Sequence, residues 1–214
     1  EPACLLETAG DAASFFREHL FAQHARERFA AMIHTDVRSS EVLLRRHLGV
    51  CLDACHLAVG FEAPDRALAV LAAEGIAVSK VQVSAGVEVE GAAAARAALP
   101  GLDDGVYLHQ TTVATPEGRL RRYVDLPEAL RDAPEGLWRV HAHVPIDREP
   151  APPLATTRPV LEQLLREVRA RSITQHLEVE TYTWSVLPQA LRGEDVVEDV
   201  ARELRWARAT LEAR

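Results

Sequence analysis

The alternation of strand-like and helix-like patterns along the chain predicts an α/β fold, and we expect a (β/α)₈ TIM barrel. Each predicted strand has one apolar and one polar face, because successive side chains of a strand point to opposite sides. The polar faces carry Glu, Asp, His and Gln. A doubly wound parallel sheet would have almost continuously apolar strands, and an open sheet with one wet face would not need these residue types. The inside of a barrel gathers such groups near the carboxyl ends of its strands.

Five runs of the sequence predict strands: 3–7, 50–55, 76–83, 138–144 and 176–181. A complete barrel has eight strands and typically about 250 residues, whereas this chain has 214. We therefore expect residues 1–214 to be the C-terminal part of a single barrel that carries its fourth to eighth strands. The unpaired edges of such a fragment would favour dimerisation or aggregation.

Helix patterns separate the predicted strands. Asp11 is expected to cap one helix and Pro64 to start another. Further helices are predicted at 160–168 and from Glu194 onwards. Residues 101–125 contain two strand-like runs joined by the turn TPEGR, which predicts a hairpin inserted into the barrel.

Composition narrows the function classes. Hydrophobic residues make up 48% of the chain and charged residues 26%, which is typical of a folded domain with a sizeable core. The formal net charge of -8 argues against nucleic acid as the main partner, since phosphates attract basic surfaces. No apolar run approaches the roughly 20 residues that cross a bilayer, so we expect no membrane insertion.

The three cysteines are Cys4, Cys51 and Cys55. An odd, sparse set within apolar segments is typical of a reducing compartment, so we expect a cytoplasmic protein. The C-x3-C spacing of Cys51 and Cys55 could mark a zinc pair, but no second Cys/His pair matches it. Buried and inert thiols are therefore the favoured interpretation.

Four side chains at the carboxyl ends of predicted strands form a candidate metal site: Glu7, Asp53, Gln82 and Glu180. Three converging carboxylates would repel one another unless a cation lies between them. Oxygen ligands suit Mg²⁺ or Mn²⁺, and the imidazoles of His56, His141 and His143 would shift the preference toward Mn²⁺, Co²⁺ or Zn²⁺. We expect one divalent metal ion here, with solvated rim residues as the alternative.

Three segments resemble endonuclease IV and its sugar isomerase and epimerase relatives: LLETAG (5–10), GVCLDACHLA (49–58) and LEVETYTW (177–184). In those families a strand-end Glu, the Asp of D-x-x-H and a Glu of the last strand bind metal. The resemblance therefore implies Glu7, Asp53 and Glu180 as metal ligands, and His56 as a ligand of the metal or the substrate. The isomerases offer a His on their sixth strand, whereas this chain has Gln82.

A longer set of segments resembles the EboE-type metabolite-traffic proteins: FFRE, HLGVCLDACHLAVGFE, KVQVSAG, YLHQT, YVDLPEAL, VHAHVPI and HLEVETYTWSVLP. These are xylose-isomerase-like barrels encoded beside genes that move or modify a small metabolite. The resemblance covers nearly the whole chain. It implies a small-molecule metabolite as the ligand, and other proteins of the same gene cluster as candidate partners.

Further candidates come from single residues. His141 and His143 lie on one face of the fourth predicted strand and could bind metal or substrate, with hydrogen-bonded core histidines as the alternative. Lys80 is the only lysine and is expected to point into the barrel, where it could act on a phosphate or an enolate. The alternative is that this arginine-rich chain keeps one lysine by chance. His109 on the predicted hairpin is a candidate substrate ligand on a lid. Trp184 follows the last strand, where it packs or contacts a ligand.

These residues support hypotheses of different classes. The first is a metal-dependent enzyme, isomerase- or epimerase-like, in which Glu180 or Glu7 moves a proton on a small polyhydroxylated or carbonyl metabolite, with Lys80 as a further catalytic candidate. The second is a metabolite-binding or transport protein without turnover, which the departure at Gln82 favours. The third is phosphodiester cleavage of the endonuclease IV kind, against which the net negative charge counts.

Overall fold

The computed structural model describes residues 2–180, 192–193 and 195–213. The helices within these residues are α1 Ala9–Phe15, α2 Gln23–Met32, α3 Val37–His47, α4 Ala54–Val59, α5 Pro64–Ala73, α6 Ala92–Ala98, α7 Leu126–Asp132, α8 Arg158–Arg171 and α9 Val196–Glu212. The strands are β1 Gly49–Asp53, β2 Ala77–Val83, β3 Val87–Glu90, β4 Thr111–Ala114, β5 Leu120–Tyr123, β6 Leu137–Val140, β7 Ala155–Thr156 and β8 Leu177–Val179.

The first sheet is parallel and has the strand order β1-β2-β8. Its register aligns Asp53 with Gln82 and Gln82 with Glu178, so the carboxyl ends of the three strands lie side by side. Val81 and Val83 are buried on the face that α4 and α5 cover. Runs 50–55, 76–83 and 176–181 thus supply the three parallel strands of this sheet, within the described residues. The barrel would place 138–144 between 76–83 and 176–181, whereas β2 pairs directly with β8.

The second sheet is antiparallel and has the order β5-β4-β6-β3-β7. The chain enters it directly from the first sheet, since residues 84–86 join β2 to β3. A Cβ atom at Gly86 would lie only 2.7 Å from the carbonyl oxygen of Val140, so the close approach of these two segments requires glycine. β4 and β5 pair antiparallel within the stretch 101–125, where the sequence predicts a hairpin.

The prediction of a (β/α)₈ barrel is wrong. The described strands form a parallel sheet of three and a separate antiparallel sheet of five, and no barrel closes among them. The sequence predicts 138–144 as a parallel strand, but β6 pairs antiparallel with both β3 and β4. Alternating polar and apolar residues are also the pattern of antiparallel sheets, so the alternation did not distinguish the two folds.

The N-terminal run also departs from the prediction, because residues 3–7 form no strand. Thr8 caps α1 instead: its side-chain oxygen accepts a hydrogen bond from Asp11 N–H, and the Asp11 carboxylate accepts one from Thr8 N–H at 2.9 Å. Asp11 is therefore the third helical residue of a capping box rather than the N-cap. Glu7 lies in the segment that leads into this helix.

An apolar core joins the two sheets. Trp138 of β6 is completely buried, and its Nε1 donates a hydrogen bond to the carbonyl oxygen of Pro134 at 3.0 Å. α8 covers this core with residues spaced as one helical face: Leu161, Leu164, Leu165 and Val168. None of the described helices is long and apolar enough to cross a membrane.

Candidate metal centre

The candidate site lies where the two sheets meet, and its first part is the turn from β1 into α4. Asp53 ends β1 and caps α4, because its Oδ1 accepts a hydrogen bond from His56 N–H at 3.0 Å. The D-x-C-H sequence therefore places Cys55 and His56 in the first turn of the helix, directly after the strand.

The second part of the site follows β6 and β8. His141 and His143 come directly after β6 and are both buried, and Glu180 comes directly after β8. The N–H groups of Val144 and Glu180 donate hydrogen bonds to carbonyl oxygens at or just beyond the end of β2, at 3.0 and 3.4 Å. These bonds bring side chains from both sheets to the carboxyl end of the parallel sheet, where ligands of α/β folds commonly bind.

Three of these side chains form a cluster that could hold a metal ion. Cys55 Sγ and one ring nitrogen each of His141 and His143 all lie within 4.8 Å of one another. The three residues are 0%, 7% and 6% exposed. The Nε2 atoms of His141 and His143 are 3.0 Å apart. Two nitrogen ligands on one ion, each with a bond of about 2.0–2.1 Å, lie about 3.0–3.4 Å apart, so this separation suits a shared metal.

His141 occupies the centre of the imidazole group. Its Nδ1 lies 2.8 Å from Gln110 Oε1, and its Nε2 lies 3.2 Å from His56 Nε2 as well as close to His143. A hydrogen bond from Nδ1–H to the Gln110 oxygen leaves a lone pair on Nε2, the atom that faces the other two rings. Outer hydrogen bonds of this kind orient the imidazoles that bind metals.

Burial sets the protonation states of the cluster. The pKa of His141 is lowered to about 2, chiefly by burial and then by the charges of His143 and His56, so this ring is neutral, as a metal ligand must be. Burial raises the pKa of the Cys55 thiol well above its usual value, and the charges of Asp53 and Glu180 act in the same direction. The thiol becomes a ligand when a bound cation displaces its proton.

A pair of carboxyl groups lies beside the cluster. Burial, followed by a hydrogen bond and repulsion from Asp53, raises the pKa of Glu180 to about 8. Burial acts to raise the pKa of Asp53, but the charge of His56 and the hydrogen bond from the His56 N–H lower it below its usual value. Two carboxylates cannot hydrogen-bond to each other unless one keeps a proton, so Glu180 holds the shared proton at neutral pH.

Two buried oxygens of this pair fit a nearby cation. Asp53 Oδ2 and Glu180 Oε2 accept no hydrogen bond from a donor among the described residues. Glu180 Oε2 lies 3.9 Å from His143 Nδ1, which links the pair to the cluster. The charged carboxylate of Asp53, with one buried oxygen that has no donor within that part of the chain, is unfavourable unless a positive charge compensates it. The donors present here, a thiol, imidazoles and carboxylates, therefore suit a divalent metal ion.

Cys55 is buried, as the sequence predicts, and its Sγ is part of the cluster that could hold a metal ion. The prediction that Cys51 is also buried is wrong. Cys51 faces the exposed side of β1, where its thiol lies 3.2 Å from Gln82 Oε1. The C-x3-C spacing alone gives no signal for Cys55 as a ligand, because no second Cys/His pair matches it. A signal for Cys55 exists in the H-x-H of residues 141–143, whose two rings share one side of an extended segment and can complete a Cys-His₂ site.

The remaining predicted ligands lie around the cluster rather than in it. Glu7 Oε2 is 3.6 Å from Arg122 Nε, and Glu7 lines the same cavity as Asp53. Gln82 contacts the Cys51 thiol, and Lys80 forms an ion pair of 2.7 Å with Glu178 on the exposed face of the parallel sheet. Their proposed roles as metal ligand and catalytic group stay predictions.

The hairpin region contributes through the residue before β4. Gln110 holds His141 by two contacts, since its backbone oxygen also accepts a hydrogen bond from His141 N–H at 2.8 Å. His109 is buried, with Nε2 3.8 Å from Asp104 Oδ2 and its N–H bonded to Asp125. The segment is thus anchored beside the cluster. Trp184 lies outside the described residues.

A cavity of about 240 Å³ borders the site between α1, β1, α4 and α5. Asp53 and His56 line it, and so do Glu7 and Glu62. The cavity gives a small molecule a place to bind next to Asp53, one member of the carboxyl pair.

Comparison with known proteins gives no family for this chain. No family model matches it, and no curated protein and no solved structure shows significant similarity to it. The resemblance to EboE-type proteins and to the sugar isomerases therefore stays a prediction that rests on the quoted segments.

Proposed function

We propose that this chain is a metal-dependent protein that moves a proton on a small metabolite bearing a hydroxyl or carbonyl oxygen, in the manner of an isomerase or epimerase. The observation that supports this most is the contact between a Cys55, His141 and His143 cluster and the Asp53–Glu180 carboxyl pair beside a cavity. The resemblance to EboE-type metabolite-traffic proteins points to the same class of ligand, and to partners from the same gene cluster.

The donor set favours zinc, with cobalt as a close substitute. Thiolate and imidazole ligands suit Zn²⁺, whereas Mg²⁺ and Mn²⁺ prefer oxygen ligands. The wider expectation of Mn²⁺, Mg²⁺, Zn²⁺ or Co²⁺ therefore narrows to zinc and cobalt, because a thiol and two imidazoles form the cluster. A thiol ligand without a disulfide partner is kept reduced in the cytoplasm, where we place the protein.

The chemistry divides between the ion and the protein. A bound zinc ion supplies a Lewis acid that polarises an oxygen of the ligand. Burial and Asp53 raise the pKa of Glu180, so its carboxyl group is suited to give a proton to, or take one from, a ligand atom that reaches it. Asp53 positions this carboxyl group and is itself fixed by bonds from Ser84 Oγ and His56 N–H. A ligand in the cavity would contact Asp53 and His56 directly.

The proposal is tested by measuring metal content and proton exchange in the same samples. Zinc-loaded protein is incubated in D₂O with a panel of small hydroxyketones and aldehydes, with and without an amino group, and NMR follows deuterium entering the carbon next to the carbonyl. We expect exchange with at least one compound, and Glu180→Gln should abolish it while zinc stoichiometry stays near one. Glu178→Gln, an exposed neighbour on β8, is the matched control. A protein that binds no zinc, or exchange that persists in Glu180→Gln, would refute the proposal.

A second candidate is a metabolite-binding protein in which the metal is structural. The near-complete burial of Cys55, His141 and His143 favours it, because structural zinc sites are closed whereas catalytic ones keep an open position. In this case removal of zinc with a chelator should unfold the junction of the two sheets, seen as lost near-UV circular dichroism. The catalytic reading expects a folded apoprotein that regains exchange activity when zinc is restored.

A further inference from the structure

The cavity beside the candidate site has mostly apolar walls. Leu52, Leu57 and Leu71 contribute aliphatic surface from β1, α4 and α5. An aliphatic cavity of about 150 Å³ is large enough to hold benzene, whereas drug-sized ligands occupy roughly 300–1,000 Å³. The 240 Å³ here therefore suits one six-membered ring, or a branched chain of similar size, with a short substituent.

Three carboxyl groups from separate segments line the same cavity: Glu7 before α1, Asp53 at the end of β1 and Glu62 after α4. Both oxygens of Glu62 lie 3.1–3.2 Å from Ala9 N–H. Glu7 has Arg122 Nε at 3.6 Å, with both side chains partly exposed. Asp53 is 6% exposed, and its Oδ2 accepts no hydrogen bond from a described donor.

The charge of this lining discriminates between ligands. An anion in the cavity would meet three acidic groups at close range, against the His56 imidazole in the lining and the Arg122 guanidinium beside Glu7. Repulsion between like charges would therefore disfavour it. A cation would gain attraction to the same groups, and an ammonium could donate hydrogen bonds to the carboxylate oxygens. The apolar walls would at the same time bury the hydrocarbon part of the ligand.

We propose that the cavity binds a small molecule with an apolar ring or branched body and a protonated amine, and that it excludes phosphorylated and carboxylated molecules. The amine lies among Glu7, Asp53 and Glu62, and the body packs against the leucines. The inference rests on the proposed function in one respect, namely that this molecule is the metabolite on which the candidate site acts. A sugar phosphate is thereby excluded as the substrate.

Three probes with the same ring and different charge test the inference: benzylamine, benzyl alcohol and benzoate. Their affinities are measured by calorimetry on zinc-loaded and on metal-free protein. We expect benzylamine to bind at least tenfold more tightly than benzyl alcohol, and benzoate to bind more weakly than both. Equal affinities for the three probes, or a preference for benzoate, would overturn the inference.

Two variants locate the binding. Glu7→Gln should weaken benzylamine binding about fivefold or more and leave benzyl alcohol unchanged, whereas Glu178→Gln on the exposed sheet face should change neither. Ala12→Leu fills the cavity from α1 and should weaken both ring probes, with circular dichroism confirming the fold. Unchanged binding in both cavity variants would place the amine elsewhere and overturn the inference.

The outcomes separate this inference from the proposed function. If the protein binds one zinc ion but shows no preference for benzylamine, the proposed metal site stands and the proposed amine ligand is wrong. If the protein binds benzylamine selectively but takes up no zinc, the proposed metal site is wrong and the proposed amine ligand stands.

Discussion

Ser84 Oγ donates a hydrogen bond to Asp53 Oδ1 at 2.9 Å. The same hydroxyl accepts one from Cys55 N–H at 3.0 Å, so Ser84, at the exit of β2, holds both the carboxyl pair and the metal cluster. Ser84 is buried, and its one hydroxyl oxygen makes both bonds, because a hydroxyl can donate and accept at the same atom. The relationship explains how the segment between the two sheets fixes the geometry of the site.

Replacement of Ser84 by alanine should therefore weaken both the fold and the metal site. The change leaves Cys55 N–H without its acceptor and removes one donor from Asp53, which we expect to lower the free energy of unfolding by about 1–3 kcal/mol. Loss of an outer hydrogen bond should lower zinc affinity by roughly 10–100-fold. Urea denaturation and zinc calorimetry measure the two effects. Ser79→Ala, at an exposed position of β2, should change neither, and equal effects of the two substitutions would contradict the assigned role.

Removal of a cluster ligand should lower metal content more than any other single change. Cys55→Ala and His143→Ala each delete one of three ligand atoms that lie within 4.8 Å of one another. Cys51→Ala is the matched control, since that thiol is exposed and contacts Gln82. Zinc per protein after dialysis, measured by mass spectrometry, should fall well below one for the first two variants and stay at the parental value for the control. Full zinc occupancy in Cys55→Ala would move the site elsewhere.

The sequence predicts the strands of the parallel sheet because each of them has a recognisable pattern within a short run of residues. Runs 50–55, 76–83 and 176–181 correspond to β1, β2 and β8, and β1 pairs with β2 as expected, but β8 takes the place beside β2 that was expected for 138–144. The alternation in 138–144 correctly predicted a strand at its start, yet it could not give the direction of the partner strand, which depends on distant segments. Residues 87–90, with the sequence VEVE, alternate in the same way but were not predicted as a strand. Their pairing with β6 turns the chain away from a barrel.

The candidate site shows the same difference between local patterns, which the sequence reveals, and contacts between distant segments, which it does not. His141 and His143 were expected on one face, and the structure places their Nε2 atoms 3.0 Å apart. Asp53 and Glu180 were expected to lie close together, and the pKa of each responds to the other. Cys55 was missed because its partners are distant in sequence, and local spacing alone carries no information about a contact of that range.

A buried carboxyl group outside the candidate site should make stability depend on pH. Glu203 of α9 is 4% exposed and accepts a hydrogen bond from Ile146 N–H at 3.0 Å. Burial raises its pKa to about 7; the Ile146 bond and the charges of Arg148 and Arg202 act against the shift, and Asp147 adds to it. A raised pKa means that the folded state binds the proton more tightly. The stabilisation is therefore complete below the unfolded value of 4.5 and is lost as pH rises toward 7.

Glu203→Gln should remove most of this dependence. Between pH 5 and pH 8 the parent should lose on the order of 2–3 kcal/mol more stability than the variant, since one pKa unit corresponds to about 1.4 kcal/mol. Urea denaturation at several pH values measures the difference. Glu212→Gln, an exposed position on the same helix, should keep the parental profile. A parental profile in Glu203→Gln as well would show that another group causes the dependence.

Arg139 of β6 should matter for the metal site although it lies outside the cluster. Its Nε donates to Glu88 Oε2 at 2.8 Å, its Nη1 donates to the carbonyl oxygen of Ala58 at 3.0 Å, and its guanidinium lies 4.2 Å from the ring centre of Phe61. The planar group thus ties the end of α4, the helix that carries Cys55, to the antiparallel sheet. A lysine ammonium cannot donate both hydrogen bonds in this planar geometry and also stack on the ring of Phe61.

Arg139→Lys should consequently lower the free energy of unfolding by about 1–3 kcal/mol, as expected for the loss of partly buried hydrogen bonds to charged groups. Zinc affinity should fall as well, because α4 gains freedom at its end opposite the Asp53 cap. Arg121→Lys is the matched control: its pair with Asp132 is largely exposed, so the change should stay within about 0.5 kcal/mol and leave zinc binding alone. Urea denaturation and zinc calorimetry on both variants decide. If Arg139→Lys loses stability but keeps parental zinc affinity, the arginine supports the sheet and has no influence on the metal site.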